Sequence, residues 1–249
     1  MKALVTGASS GIGKDIAIEL KNRGYEIIAI AREEKKLKEL KNELGDSVKI
    51  VSMDLANKDN CISLYEQLKQ EDIEIVVNNA GFGEFGEFTN TNLEKEINMI
   101  NTNITAVHIL TKLFLKDMVE KDRGYILNVA SIAGFMPGPL MATYYSTKSY
   151  VVRLSQSIYE ELRRKKSNVS ISVLCPGPVD TNFNKVAGVK FSLKQKASKE
   201  VAQYAVKNMF KRKLIIIPGI IIKTVRVLSK ISPDKLVARI AYKQQKRKM

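Results

Sequence analysis

Lys2-Ala3-Leu4-Val5-Thr6-Gly7-Ala8-Ser9-Ser10-Gly11-Ile12-Gly13-Lys14 is the stretch on which the fold turns. Lys2–Thr6 has the composition of a buried strand. Beyond the glycines, Ile16, Ala17 and Leu20 recur at helical spacing, which predicts a helix over Lys14–Arg23. A glycine-rich turn between a strand's C-terminal end and a helix lets the backbone approach an anion closely. The unpaired N–H groups and positive dipole end of the helix then face that anion. The spacing is Gly-x3-Gly-x-Gly rather than the commoner Gly-x-Gly-x2-Gly. A tight turn without ligand also uses such glycines; the strand–loop–helix setting favours the ligand.

The same alternation continues outward. Strands are predicted over Glu26–Ala31, Val48–Met53, Ile73–Asn78, Gly124–Ala130 and Val169–Leu174, with a charged helix over Glu33–Leu44 and further helices between. Short strands separated by helices of about ten or more residues predict βαβ units and a parallel sheet. The expected fold is α/β, a single doubly wound Rossmann-type domain with helices on both faces. It is expected to span residues 1–218, with residues 219–249 as a basic C-terminal helical extension. The 249 residues suffice for a sizeable core, and 45% hydrophobic with 27% charged residues excludes disordered and collagen-like classes. The two cysteines, Cys61 and Cys175, offer no disulfide framework. With no long apolar run and no leader-like start, a cytoplasmic location is expected.

The net charge of +15 is unevenly placed. Residues 1–184 hold 23 Lys+Arg against 24 Asp+Glu, whereas residues 185–249 hold 18 against only Glu200 and Asp234. The whole basic excess belongs to the last quarter of the chain, which calls for an anionic partner of the tail.

At the end of the second strand, Ala29-Ile30-Ala31-Arg32 has alanine where a carboxylate selective for a ribose 2′-hydroxyl would stand. A guanidinium at Arg32 can grip a 2′-phosphate with paired charged hydrogen bonds. NADP(H) is therefore expected over NAD(H), although Glu33 and Glu34 stand close by and Arg32 could instead end a surface strand. Ser131 follows the apolar strand Ile126-Leu127-Asn128-Val129-Ala130 and so sits at the carboxyl edge of the sheet. Tyr144 and Lys148 are four residues apart, on one helix face. An ammonium beside a phenol lowers the phenol's pKa, which suits Tyr144 to general acid–base work on a carbonyl or alcohol. Tyr145 has Ser149, without charge, at the matching place.

Thr6–Gly13, Asn78-Asn79-Ala80-Gly81, Asn103, Ser131, Tyr144-x3-Lys148 and Pro176-Gly177 followed by Thr181 occur in order across residues 1–184. In these pieces the chain resembles the classical type of short-chain dehydrogenase/reductase (SDR). The resemblance implies a catalytic set of Asn103, Ser131, Tyr144 and Lys148, with Lys148 also on the nicotinamide ribose and Asn103 anchoring a relay water. It implies cofactor binding by Gly7, Ser9, Ser10, Gly11, Ile12 and Gly13, by Arg32, Asp54 and Leu55, by Asn79, Ala80 and Gly81, and by Pro176, Gly177, Val179 and Thr181. No metal is implied. His108 and Cys175 are expected to be structural, and Cys61 to lie on a surface-type helix.

Phe82, Phe85, Phe88, Phe135, Met136, Pro137, Leu140 and Met141 are candidate pocket walls, favouring a lipophilic ketone or aldehyde. A loop over 182–197 with Phe183, Val186, Val189, Phe191 and Leu193 is expected to close over it. In the tail, Ile221, Val225, Leu228 and Ile231, then Leu236, Val237, Ile240 and Ala241, form apolar stripes beside Lys and Arg. Such helices lie on anionic membranes or pack on the domain or on a second subunit of a homodimer or homotetramer. Nucleic acid fits less well, since no base-reading module is present. The expected function is an NADP(H)-dependent oxidoreductase of carbonyls and secondary alcohols. A 3-oxoacyl-carrier-protein-type reductase and a non-catalytic dinucleotide sensor or scaffold are the alternatives.

Overall fold

A computed structural model describes residues 1–183, 187–188 and 195–246. Six main strands form: β1 (Lys2–Thr6), β2 (Glu26–Ala31), β3 (Val48–Ser52), β4 (Ile73–Asn78), β5 (Gly124–Val129) and β6 (Val169–Leu174). The short strands β7 (Val179–Asp180) and β8 (Lys196–Ala197) pair with each other, and β9 (Ile215–Ile216) joins the main sheet. That sheet has seven parallel strands in the order β3-β2-β1-β4-β5-β6-β9. Strands buried on both faces read as continuous apolar runs, as in Ile27-Ile28-Ala29-Ile30 and Ile75-Val76-Val77.

Helices cover both faces. On one side α1 (Gly11–Lys21), α2 (Glu34–Leu44) and α7 (Ser198–Phe210) bury Ile16, Leu20, Leu37, Leu40, Val206 and Met209, α1 and α2 against β1 and β2 and α7 against α1, β5 and β6. On the other, α3 (Lys58–Leu68), α5 (Val107–Glu120) and α6 (Ala142–Arg164) bury Leu64, Phe114 and Leu162. Strand order reverses at β1 and β4, so a crevice opens there beyond the strands' carboxyl ends.

Three details differ from the sequence expectation. The first helix starts at Gly11, not Lys14, because the Lys14 N–H already donates to the Ser10 carbonyl at 3.3 Å and so closes a helical turn over the glycines. Cys61 faces inward on α3, fully buried, with its thiol donating to the Leu55 carbonyl oxygen at 3.3 Å. His108 lies on the exposed face of α5, its Nδ1 2.7 Å from the Tyr150 hydroxyl, because the apolar neighbours on either side point inward.

Two breaks in helical regularity shape the site. Between α4 (Leu93–Ile100) and α5, residues Asn101–Ala106 form a π-helical turn. After β5, a 3-10 turn over Ile132–Phe135 is capped by Ser131, whose hydroxyl accepts from the Ala133 N–H at 3.2 Å. Residues beyond Pro218 form α8 (Ile220–Ile231) and α9 (Asp234–Lys246). Among the described residues no helix is long and apolar enough to cross a membrane.

Candidate active site

The glycine loop is fixed from both sides. Gly7 and Gly11 have φ of +65° and +54°, a region open to glycine without steric cost. A Cβ on Gly7 would stand 2.9 Å from the Ala80 Cα, and one on Gly11 2.8 Å from Thr181. The Thr6 hydroxyl accepts from the N–H groups of Asn79 and Ala80 at 2.9 and 3.0 Å, and the Asn79 amide donates to the carbonyls of Thr6 and Gly7. These bonds tie the end of β1 to the end of β4. The Ser10 side chain caps none of the first N–H groups of α1, which leaves that helix end able to receive an anion.

α6 builds the other half. Tyr144, Lys148, Val151 and Ser155 form its buried stripe. The Lys148 ammonium donates to the Val129 carbonyl at 2.9 Å and lies 5.8 Å from the centre of the Tyr144 ring. Burial pushes the Tyr144 phenol above its ordinary value, with a hydrogen bond to Ser131 pulling the other way. Desolvation outweighs that hydrogen bond in the nucleotide-free site. The phenol holds its proton at neutral pH and is a donor. Burial lowers Lys148 itself, to about 8.

A cavity of about 1010 Å³ connects these parts. Its floor carries Ser131, Tyr144 and Lys148, and the glycine-loop residues Gly7, Ser9, Ser10, Gly11 and Ile12 line one end. Asn79, Ala80 and Gly81 line it as well, as do Pro176, Gly177, Val179 and Thr181, with Thr181 against Gly11. Arg32, Asp54 and Leu55 close the far end beside Ala31.

Two expected residues stand elsewhere. Gly13 faces away from the cavity; a Cβ there would meet the Gly7 carbonyl and the Asn79 amide, both at 2.3 Å, so it packs α1 onto the loop. Asn103 is fully buried on the π-helical turn. Its amide donates to the Phe82 carbonyl and the Thr147 hydroxyl at 2.9 and 3.1 Å, and its oxygen accepts from the Phe82 N–H at 3.1 Å. The side chain positions the Gly81–Phe82 backbone.

Of the candidate apolar walls, Phe82, Met136 and Met141 line the cavity. Phe135 instead packs beneath α8, with the Arg226 guanidinium 4.9 Å above its ring. Phe85 packs behind the cavity wall, Leu140 is buried, and Phe88 and Pro137 are exposed. Phe183 packs against Tyr144 with ring centres 5.2 Å apart; Val186, Val189, Phe191 and Leu193 lie outside the described residues. Sequence reasoning missed Lys36, which joins Arg32 at the far end while paired with Glu33 at 2.7 Å. Its place, one turn into the helix after β2, was the available signal. It also missed that α8 and α9 form a wall of this cavity through Ile221, Ile222, Val225, Leu228, Val237 and Ile240. No local pattern announces that fold-back.

Residues 1–190 match the family model for short chain dehydrogenases. The chain belongs to the short-chain dehydrogenase family. It is an oxidoreductase of that family, whose cofactor is a nicotinamide dinucleotide. It is 35% identical over 181 residues to an uncharacterized oxidoreductase of Staphylococcus epidermidis, covering 72% of this chain and 78% of that one. It is 33% identical to a 3-oxoacyl-[acyl-carrier-protein] reductase of Haemophilus influenzae, covering 74% and 76%. The human very-long-chain 3-oxoacyl-CoA reductase is 35% identical over 74% of this chain and 61% of its own. Among solved structures, a short-chain dehydrogenase from Sphingobium yanoikuyae in complex with NADPH superposes with a TM-score of 0.81 at 27% identity, covering 93% and 96%. A family member from Burkholderia phymatum in complex with NAD shares the fold at 23% identity, with a TM-score of 0.82 and 91% of each chain covered.

Proposed function

We propose that the chain is an NADP(H)-dependent oxidoreductase that interconverts a carbonyl and a secondary alcohol on a lipophilic substrate. The observation that carries this reading is the convergence of Tyr144, Ser131 and Lys148 on the cavity that also holds the glycine loop. The close-approach glycines, the uncapped start of α1 and the small residues Ala80 and Gly81 fit a dinucleotide laid along the backbone. Bound there, the dinucleotide supplies hydride chemistry.

The protein's own residues do the rest. Ser131 stands beside Tyr144 to hydrogen-bond the substrate oxygen and hold it in line with the phenol. Tyr144, kept protonated by burial, gives that oxygen its proton in reduction and takes it back in oxidation. Lys148, held to the Val129 carbonyl, keeps a positive charge behind the phenol at neutral pH. Phe82, Met136, Met141 and Phe183 exclude water around these groups. A sensor or scaffold has no use for such a buried proton donor. At the far end Arg32, with Lys36 nearby and Ala31 in place of a carboxylate, favours a 2′-phosphate. Glu33 is paired with Lys36, which offsets its repulsion of that phosphate.

The 3-oxoacyl reductases among the relatives favour an acyl thioester as one form of the lipophilic substrate. The test is a panel of ketones, aldehydes and 3-oxoacyl thioesters followed by NADPH and NADH absorbance. NADPH should be the better cofactor. Tyr144→Phe should cut turnover by at least about a hundredfold while NADPH still binds. Near-normal turnover of that variant, or equal use of NADH, would sink the respective half of the reading.

A further inference from the structure

The last two helices present an apolar surface in two directions. The inner side of α8 carries Ile222, Arg226 and Ser229, at helical spacing. Ile222 packs on Gly177, Arg226 covers the Phe135 ring, and Ser229 lines the cavity. The opposite side carries Ile220, Val227 and Ile231, separated by seven and four residues and so on one face. Ile220 is 81% exposed and Ile231 74%, and none of the described residues covers them. Apolar side chains belong on the side of a surface helix that faces the core; here a second set faces solvent, flanked by Lys223 and Lys230.

α9 continues the pattern in charge. Its inner side, Val237, Ala241 and Gln245, closes the cavity, and Gln245 donates to the Tyr145 hydroxyl at 2.6 Å. Its outer side carries Lys235, Arg239, Lys243 and Lys246, one above another, beside the exposed Leu236 and Tyr242. Among the described residues no ion pair includes a cation beyond Arg164. Residues 219–249 hold nine Lys and Arg against the single acid Asp234, a net charge of +8.

From this arrangement we infer that α8 and α9 dock the enzyme on an anionic lipid bilayer and open its substrate cavity towards that bilayer. Apolar side chains and a high density of lysine and arginine on one surface suit the boundary between headgroups and acyl chains. A second copy of the chain would set the exposed Lys223, Lys230, Lys235, Arg239, Lys243 and Lys246 against the same six cations, which opposes pairing. A nucleic acid would meet aliphatic side chains there instead of stacking aromatics. The cavity supplies the reason for docking. Ile221, Val225, Leu228 and Ile240 are exposed and line it as well, so an apolar path runs from the docking surface to the site. A lipophilic carbonyl dissolved in the bilayer enters along that path without crossing water. The substrate half of this inference rests on the proposed activity; the docking half does not.

The test is co-sedimentation of the full chain with vesicles of phosphatidylcholine alone and of phosphatidylcholine and phosphatidylserine in equal parts. Binding is expected only to the anionic vesicles and should weaken as salt is raised. Two triple variants locate it: Lys235→Gln with Arg239→Gln and Lys243→Gln, and Ile220→Ser with Val227→Ser and Ile231→Ser. The first should lose about a hundredfold in partitioning, at about 1 kcal/mol per basic residue, and the second should also bind weakly. None of the six residues lines the cavity. Both variants should therefore keep the circular dichroism of the parent and its turnover of a small water-soluble ketone, while turnover of a long-chain ketone presented in anionic vesicles falls. Failure to bind anionic vesicles overturns the inference, as does binding that neither variant weakens. A dimer that the serine variant dissociates assigns the face to a second copy, and heparin or RNA binding that replaces vesicle binding assigns it to other anions; each overturns the inference. Vesicle binding without turnover of any carbonyl would remove the proposed activity and leave the docking surface standing.

Discussion

Replacing Lys148 by methionine should make the nucleotide-free protein more stable while abolishing its activity. The ammonium is buried beneath the sheet edge, and burial lowers it from 10.5 to about 8. That displacement corresponds to about 3 kcal/mol against the charged form in the folded state. Methionine has similar reach and removes the charge. It also removes the hydrogen bond to the Val129 carbonyl, which costs about 1 kcal/mol. The net gain expected at neutral pH is about 2 kcal/mol. The pH dependence has a definite sign. Below pH 8 both folded and unfolded chains carry the ammonium, and the folded state bears the full penalty. Between 8 and 10.5 the unfolded chain holds the proton that the folded chain has shed, so parent stability climbs with pH. The advantage of the variant should therefore narrow by about 1 kcal/mol between neutral pH and about pH 9. Cys61 and Cys175, raised by burial from 9 to about 11 and about 12, act in the opposite direction above pH 9; Cys61 cancels in the difference, and Cys175, which in the variant loses the lowering influence of Lys148, stays protonated in both folded proteins over the pH range compared. Urea unfolding followed by circular dichroism, without nucleotide, reads the effect as a midpoint raised by about 0.5–1 M at neutral pH. A midpoint below that of the parent, or a gap that does not change with pH, would show that the ammonium is not desolvated in the way the structure indicates.

Arg32→Ala should weaken NADPH use by about tenfold to a hundredfold, the worth of a charge-assisted contact, and leave KM for NADH unchanged; an equal loss with both cofactors would place Arg32 outside 2′-phosphate recognition. Gly177→Val would put a Cβ 2.6 Å from the Ile222 side chain and so lift α8, which limited trypsin digestion should report as faster cleavage at Lys223 and Arg226 with β-sheet content unchanged. Neither Cys61 nor Cys175 should react with a thiol reagent at about pH 8 in the native protein, since burial raises both thiols; rapid stoichiometric labelling without unfolding would contradict their placement.

Residues whose role is set by near neighbours along the chain are legible in the sequence. The six long strands, the glycine loop and the Tyr144–Lys148 pair all rest on spacing of a few residues, and the sheet places them as expected. What the sequence hides depends on distant segments. Gly13 reads as one more loop glycine until the Asn79 amide occupies the space beside it. The Asn103 side chain reads as a polar group inside a helix until the Phe82 backbone and the Thr147 hydroxyl meet it. Phe135 follows Ser131 closely enough to suggest a cavity wall, yet it serves as the floor beneath Arg226 of α8. β9, only two residues long, carries no periodic signal and exists because Ile215 and Ile216 pair with Val173 and Leu174.

The adjacent tyrosines on α6 show how the tail and the site are joined. Consecutive residues on a helix point about 100° apart, so Tyr144 and Tyr145 serve different partners from one turn of backbone. Tyr144 turns to Ser131 and the cavity floor. Tyr145 receives Gln245 from α9 and rests against Gly138, where no side chain larger than hydrogen fits. The helix that places the proton donor is thus the same helix that anchors the last described turn of the chain. Movement of α9 bears on Tyr145 directly and on Tyr144 through a rigid helical turn, whose other contacts include the Asn103 amide on the Thr147 hydroxyl and Lys148 on Val129. A change at Gln245 should therefore appear first in substrate KM, through the cavity wall, and leave the cofactor end at Arg32 untouched.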